Sequence, residues 1–234
     1  MKVLLLAAGL GTRLRPITNT IPKCLVPIGG RPLLEIWLER LTNAGFGPFL
    51  INTHYFPEKV EEFLAGLANK YDVQTVFEPT LLGTAGTLLK NLNFFEEQDA
   101  LIAHADNYCL ADFHAFREAH ERRPSACEMT MMTFRTDTPE SCGIVNLDEF
   151  NIVQKFYEKI KNPPGDLASG AIYLLSAKFI ENIKSNLSGA KDFSLEIVPN
   201  FLGKIYSYET PAPLIDIGTP SALDAANTHA LFLG

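Results

Sequence analysis

A short loop near the start carries the residue types best suited to chemistry. In "LLLAAGLGTRLRPIT", Leu4 to Thr18, an apolar run opens into small residues and then two arginines. Along Leu6, Ala7, Ala8, Gly9, Gly11 and Thr12 the backbone can come close to a ligand. Gly9 and Gly11 carry no side chain, so their N–H groups are approachable. Arg13 and Arg15 add charge, and a guanidinium fork matches phosphate oxygens. Together these features suit a loop that wraps a polyphosphate. For a bare Gly-x-Gly, an ordinary glycine turn with solvated arginines would be the better reading. A dinucleotide loop is disfavoured, because Leu14 stands where its third small residue belongs and Glu35 falls inside a helical pattern. No Gly-x-x-x-x-Gly-Lys-[Ser/Thr] run exists in the chain.

Carboxylates follow the same logic. Asp106 ends the apolar run "ALIAHAD" and Asp216 ends the short run "LID". In open α/β sheets ligands bind at the carboxyl ends of strands. An aspartate there also serves as a turn former. Two carboxylates at such positions are candidate ligands for a hard divalent cation such as Mg2+. Glu78 ends "VQTVFE", and "LLGTAGTL" with Gly83, Thr84 and Ala85 follows, small enough for a flat base to lie on backbone. An ionised carboxylate offers only acceptors and would fit the neighbouring N1–H and N2 donors of guanine. The plainer reading of Glu78 is a turn cap or a solvated side chain. The five histidines show no metal spacing. Cys24, beside Lys23, reads as a small loop residue rather than a reactive thiol, and Trp37 as helix core.

These residues need a frame. Apolar and amphipathic runs alternate: strand "KVLLLAA", helix "RPLLEIWLERLTNAGF", strand "PFLINTH", helix "PEKVEEFLAGLAN", strand "VQTVFEP", a helix around "GTAGTLLKNL", strand "ALIAHAD" and helix "DFHAFREAHERR". Alternation of this kind predicts a parallel sheet covered on both faces. After Pro124, "CEMTMMTFR", "CGIVNLDE", "NIVQKFYEK" and "ASGAIYLLS" read as strands with no helix between them, and helical patterns return around 177–185 and 219–231. The expected fold is α/β: a single Rossmann-like three-layer domain over 1–234, with a mainly parallel central sheet and a smaller mixed part. Residues 1–123 are expected to form a catalytic half and 124–234 a substrate half.

The bulk properties agree. The 234 residues are 47% hydrophobic with a formal net charge of −7. That balance argues against a nucleic-acid binder, which needs a basic face. No segment reaches the ~20 apolar residues of a membrane span. Four scattered cysteines without a Cys-x-x-Cys pair suggest reduced thiols and a cytoplasmic protein.

"LLLAAGLGTRLRPIT" with "PKCLVPIGGRPLLE" closely resembles the signature of the sugar-1-phosphate nucleotidylyltransferases, which join a sugar 1-phosphate to a nucleoside triphosphate and release pyrophosphate. "EPTLLGTAGTL", "HADNY", "EK", "SGAIYLL" and "DIGTP" follow in that family's order. The resemblance implies that Asp106 and Asp216 hold the metal, that Lys23 contacts the nucleotide phosphates and that Arg13 steadies the leaving pyrophosphate. It implies that Lys159 meets the sugar phosphate, and that Asn107, Gly143, Glu158, Ser169 and Gly170 surround the sugar. It makes 1–123 the nucleotide-binding half and 124–234 the sugar-binding half. Ala105 and Ile215 depart from the residues usual beside the two aspartates. "AHADNYC" and the short chain also look like the heptose 1-phosphate guanylyltransferase branch, so GTP and a manno-configured heptose 1-phosphate are the expected substrates, and a homodimer the expected assembly. Mannose 1-phosphate with GTP, or a UTP-using uridylyltransferase, are the alternatives. A non-catalytic nucleotide-sugar sensor is the alternative of another class.

Overall fold

The computed structural model describes residues 1–96 and 98–231. Its elements run in the order β1 (Lys2–Leu6), β2 (Pro27–Ile28), β3 (Arg31–Pro32), α1 (Leu33–Asn43), β4 (Phe49–Thr53), α2 (Pro57–Ala65), β5 (Val73–Phe77), α3 (Thr84–Lys90), α4 (Leu92–Phe95), β6 (Ala100–His104), β7 (Asn107–Cys109) and α5 (Phe113–Glu121). There follow β8 (Met129–Arg135), β9 (Gly143–Leu147), β10 (Val153–Glu158), β11 (Leu167–Leu175), α6 (Ala177–Asn186), β12 (Ile205–Glu209), β13 (Leu214–Asp216) and α7 (Pro220–Leu231).

One nine-stranded sheet dominates. β6, β1, β4 and β5 lie side by side and parallel, as the alternation of strands with helices predicts. β11 then adds antiparallel to β6, and β8 antiparallel to β11, so strands from both halves of the chain share one sheet. The layers follow from the period-2 alternation of β1. Val3 and Leu5 face α1, α2, α5 and α7, where Trp37, Leu41, Val60, Phe116 and Leu223 are packed. Leu4 faces the opposite layer of α3, α4 and α6, with Leu88, Phe95 and Phe179. Each such fully buried side chain contributes about 1.5–3 kcal/mol, so the platform beneath the loops is rigid.

Local signals end the helices where the sequence places them. Gly45 adopts φ +75 after α1, and the N–H of Phe46 reaches back to the carbonyl of Leu41 at 2.9 Å, a glycine-terminated helix end. Asp112 and Ser176 cap α5 and α6 through their side-chain oxygens. Several elements have no sequence forecast: β2, β3, β7, β12 and β13. β7 and β13 are three residues each and pair antiparallel, with Asp216 opposite Asn107. No described helix is long and apolar enough to cross a membrane.

Candidate active site

The loop after β1 is shaped by its own contacts. Gly11 takes φ +61, and a Cβ there would stand 2.9 Å from Thr18 Cγ2. Thr18, fully buried, donates its hydroxyl to the Gly11 carbonyl at 2.7 Å. Leu10, Gly11, Thr12 and Arg13 therefore form one wall of a cleft of about 260 Å³, closed by Lys23, Asp106 and Gly218. A larger cleft of about 630 Å³ lies between α2 and β5, lined by Glu61, Leu64, Lys70, Tyr71 and Val73. Volume does not decide between them. The smaller one holds the convergent charged groups that chemistry requires.

Lys23 is the centre of that convergence. Its side chain is 6% exposed, and Nζ donates to Asp106 Oδ2 at 2.7 Å and to Asp216 Oδ1 at 2.6 Å. Arg13 lies 3.3 Å from Asp216 Oδ2. Gly218 makes room for this, since a Cβ there would come 2.7 Å from the Arg13 guanidinium. Partial burial pushes the Asp216 carboxyl upward, but the charges of Lys23 and Arg13 outweigh it and hold the carboxyl below its ordinary range.

Three interactions bring the two aspartates together across 110 positions of the chain. The N–H of Ala105 donates to the Leu6 carbonyl at 3.0 Å, fixing the end of β6 beside the loop. The Trp37 indole N–H donates to the Asn107 carbonyl at 2.7 Å. The β7–β13 ladder then sets Asp216 against Asn107. Trp37 is helix core, as its spacing predicts, and also holds the turn that carries Asp106.

The expected sugar residues group elsewhere. Asn107 donates to the Gly170 carbonyl at 3.3 Å. Ser169 and Gly170 sit where the β11–β8 register shifts, between Ser169 and Tyr173, an irregularity that re-aims side chains beside binding sites. Gly143 pairs with Glu158, and a Cβ on Gly143 would come 2.7 Å from Glu158 Oε2. Lys159 has φ +50, a left-handed conformation that costs a non-glycine residue about 1–3 kcal/mol. Its ammonium is 65% exposed and 3.4 Å from Glu158 Oε1. Among the described residues, no hydrogen bond or ion pair links Lys159 to Lys23 or to the aspartates.

Some expectations need correction. Glu78 does not present its carboxylate to a ligand. It is 1% exposed, and its oxygens accept from Asn52 Nδ2, Thr87 Oγ1 and the Leu82 N–H at 3.0, 2.6 and 3.2 Å. The Ala7 N–H is spent on Asn52 Oδ1 at 2.7 Å, so Ala7 does not offer its amide to phosphate. Arg15 is exposed and outside the cleft lining. Cys24 needs no correction: it is buried, as the small-residue reading expects, and burial, aided by Asp106, pushes its thiol up to about 12. Gly83 keeps φ +78, where a Cβ would strike the Lys191 carbonyl at 2.3 Å; Ala85 is fully buried, and Thr84 Oγ1 accepts from the Phe193 N–H. These three fix the wall's shape.

The donor set suits a hard divalent cation. Two carboxylates already converge on one ammonium, and no third His, Cys, Asp or Glu joins them among the described residues. One or two carboxylates plus phosphate oxygens is the usual protein share for Mg2+.

The sequence profile of the nucleotidyl transferase family matches residues 2–231. The chain belongs to this family. Its relatives include a mannose-1-phosphate guanyltransferase of Saccharomyces cerevisiae, 30% identical over 94% of this chain and 62% of that one. Another is a mannose-1-phosphate guanylyltransferase of Mycobacterium tuberculosis, 31% identical over 92% of this chain and 60% of that one. This nucleotidyl transferase chain thus spans about three-fifths of those relatives. The crystal structure of HddC from Yersinia pseudotuberculosis superposes with a TM-score of 0.79 at 26% identity, covering 97% of this chain and 98% of that one. An apo UDP-glucose pyrophosphorylase at 18% identity and a TM-score of 0.83, covering 100% of this chain and 99% of that one, shares the fold.

Proposed function

We propose that the chain is a sugar-1-phosphate nucleotidylyltransferase that uses GTP and mannose 1-phosphate. The observation that carries the reaction class is the meeting of Lys23, Arg13, Asp106 and Asp216 at one glycine loop. A phosphate oxygen of the sugar 1-phosphate attacks the α-phosphorus of the triphosphate. The new P–O bond forms as the bond to the β-phosphate bridging oxygen breaks, and pyrophosphate leaves with that electron pair. No proton needs to move, so catalysis is placement and neutralisation of charge.

The loop amides beyond Ala7 receive the triphosphate, Arg13 lies on the leaving β- and γ-phosphates, and Lys23 turns from the carboxylates to the α-phosphate. Asp106 and Asp216 would hold Mg2+, which supplies charge neutralisation at the phosphates when bound. Lys159 and Glu158 hold the sugar phosphate and hydroxyls, with Asn107, Gly143, Ser169 and Gly170 around the ring.

Mannose and guanine rest on relatives named mannose-1-phosphate guanylyltransferases. They support mannose over the heptose suggested by "AHADNYC". The test is pyrophosphate release by the purified chain across GTP, UTP, dTTP, CTP and ATP, each with mannose, glucose and heptose 1-phosphates. GTP with mannose 1-phosphate is expected to give the highest kcat/KM. A best rate with another pair would overturn the substrate assignment, and no release with any pair would overturn the reaction class.

A further inference from the structure

Glu78 is a buried carboxylate with no cation. Among the described residues it forms no ion pair, and three donors satisfy it instead, from Asn52, Thr87 and the Leu82 amide. Asn52 and Thr87 are as hidden as Glu78, at 3% and 1% exposure. These residues come from the carboxyl end of β4, the end of β5 and the interior of α3. Buried polar groups on three segments, each satisfied by the others, specify one arrangement of those segments.

The hydrogen bonds have a direction. Asn52 Oδ1 accepts the Ala7 N–H at 2.7 Å, at the root of the phosphate loop. This orientation turns Nδ2 toward Glu78 Oε1 at 3.0 Å and Thr87 Oγ1 at 3.3 Å. The Thr87 hydroxyl also donates to Glu78 Oε1, and the Leu82 N–H to Oε2. The amide at 52 accepts from Ala7 through its oxygen while its N–H₂ donates to Glu78 and Thr87. Only a carboxylate at 78 can take all three donors at once. A glutamine there would set its own N–H₂ against the Leu82 N–H in one orientation, and against Asn52 Nδ2 and the Thr87 hydroxyl in the other.

The far side of α3's first turn is held as tightly. The Ala85 N–H donates to the Lys191 carbonyl at 2.9 Å, and the Phe193 N–H donates to Thr84 Oγ1 at 2.8 Å. The segment 79–86 thus cannot shift without moving Glu78, and Glu78 cannot shift without releasing Ala7 through Asn52.

We infer that Asn52, Glu78 and Thr87 are positioning residues that lock the phosphate loop to the 79–86 segment, so that base and triphosphate meet a site set in advance. This rests on the nucleotidylyltransferase reading above. It makes Glu78 a residue that every nucleotide depends on equally, not one that reads guanine.

The probe that separates these roles is inorganic triphosphate, which has no base. Its binding is measured by calorimetry to the wild-type chain and to Glu78→Gln, Thr87→Val and Thr87→Ser, with circular dichroism to confirm folding. Thr87→Val keeps shape and removes the donor; Thr87→Ser keeps the donor. Glu78→Gln and Thr87→Val are expected to weaken triphosphate binding roughly tenfold, the scale of one lost buried hydrogen bond, and Thr87→Ser to restore it. In turnover assays the loss in kcat/KM is expected to be the same factor for GTP and UTP. Unchanged triphosphate affinity in folded Glu78→Gln, or a loss confined to GTP, would overturn the inference. Equal weakening by Thr87→Ser and Thr87→Val would overturn it too. Wild-type protein that binds triphosphate yet turns over no nucleotide would instead count against the reaction, leaving the positioning result to stand on binding.

Discussion

Replacing Lys23 with methionine strikes the centre of the site. Methionine retains most of the stem's length and apolar packing and removes only the ammonium. The ammonium lies 2.7 Å from Asp106 Oδ2 and 2.6 Å from Asp216 Oδ1. Two oxygens that close to one atom are no more than roughly 5.3 Å apart. Unit charges at that separation repel by about 1–3 kcal/mol for effective dielectric constants from ~80 to ~20. Asp216 is 51% exposed, which favours the low end through solvent screening. The variant is therefore expected to lose about 1–2 kcal/mol of folding stability at neutral pH and low salt, and less at high salt.

The same reasoning fixes the pH dependence. In the wild type, burial raises the Asp216 carboxyl but Lys23 and Arg13 hold it below its ordinary value. A depressed carboxyl contributes stability that is fully present above its unfolded value near pH ~4 and is lost as pH falls through the folded value. The gap between wild type and Lys23→Met should be full at pH 7 and close as the pH drops below ~4. Urea denaturation at a series of pH values reads the gap. Pyrophosphate release reads turnover, expected to fall on the order of 10²–10³-fold. A gap of equal size at neutral and acid pH, together with undiminished turnover, would refute the reasoning.

Other variants probe separate parts of the site. Asp106→Asn and Asp216→Asn should stay folded by circular dichroism, lose most turnover, and weaken Mn2+ binding measured by electron paramagnetic resonance with nucleotide present. Gly11→Ala places a Cβ 2.9 Å from Thr18 Cγ2 at φ +61, so the melting temperature should drop with a loss of about 1–3 kcal/mol; an unchanged value would show that the loop relaxes freely. Lys159→Gly removes strain at φ +50 and adds unfolded-state entropy of similar size, so stability should hold within ~0.5 kcal/mol, while KM for the sugar 1-phosphate rises about tenfold through loss of one charge-assisted contact.

The parallel core was legible because strand-like and helical runs alternate, and because β1, β4 and β6 are buried on both faces and largely apolar. The chemistry-bearing ends of those strands were legible for the same reason: Asp106 stands just past such a run. What joins Asp106 to Asp216 was not legible. β7 and β13 are three residues each and pair across a separation of about a hundred residues, too short for periodicity to register. Glu78 was placed correctly at the end of β5, but its direction was not. That direction is set by donors 26 and 9 positions away, on Asn52 and Thr87. Asn52 did leave a trace. It is an amide inside "FLINT", a strand whose five residues are all buried, and a buried amide needs partners on both its oxygen and its nitrogen.

Lys23 explains how the chain tolerates its own site. Two carboxylates forced together by the β7–β13 ladder would repel each other, and the protein answers with a lysine from a segment 83 positions before the first of them. That ammonium is nearly buried, so it cannot be an idle surface charge. A triphosphate entering the cleft brings several negative charges and competes for Lys23 and Arg13. The aspartates that they leave behind then need another cation. Asp106 and Asp216 would then hold a divalent cation, which would supply charge neutralisation at the phosphates. Under the proposed function, binding would exchange counter-charges: Lys23 would pass from carboxylate to phosphate, and Asp106 and Asp216 would be left to hold a cation. The ion pairs that steady the empty protein are thus the ones its substrates must rearrange, so a residue chosen for chemistry also bears on stability.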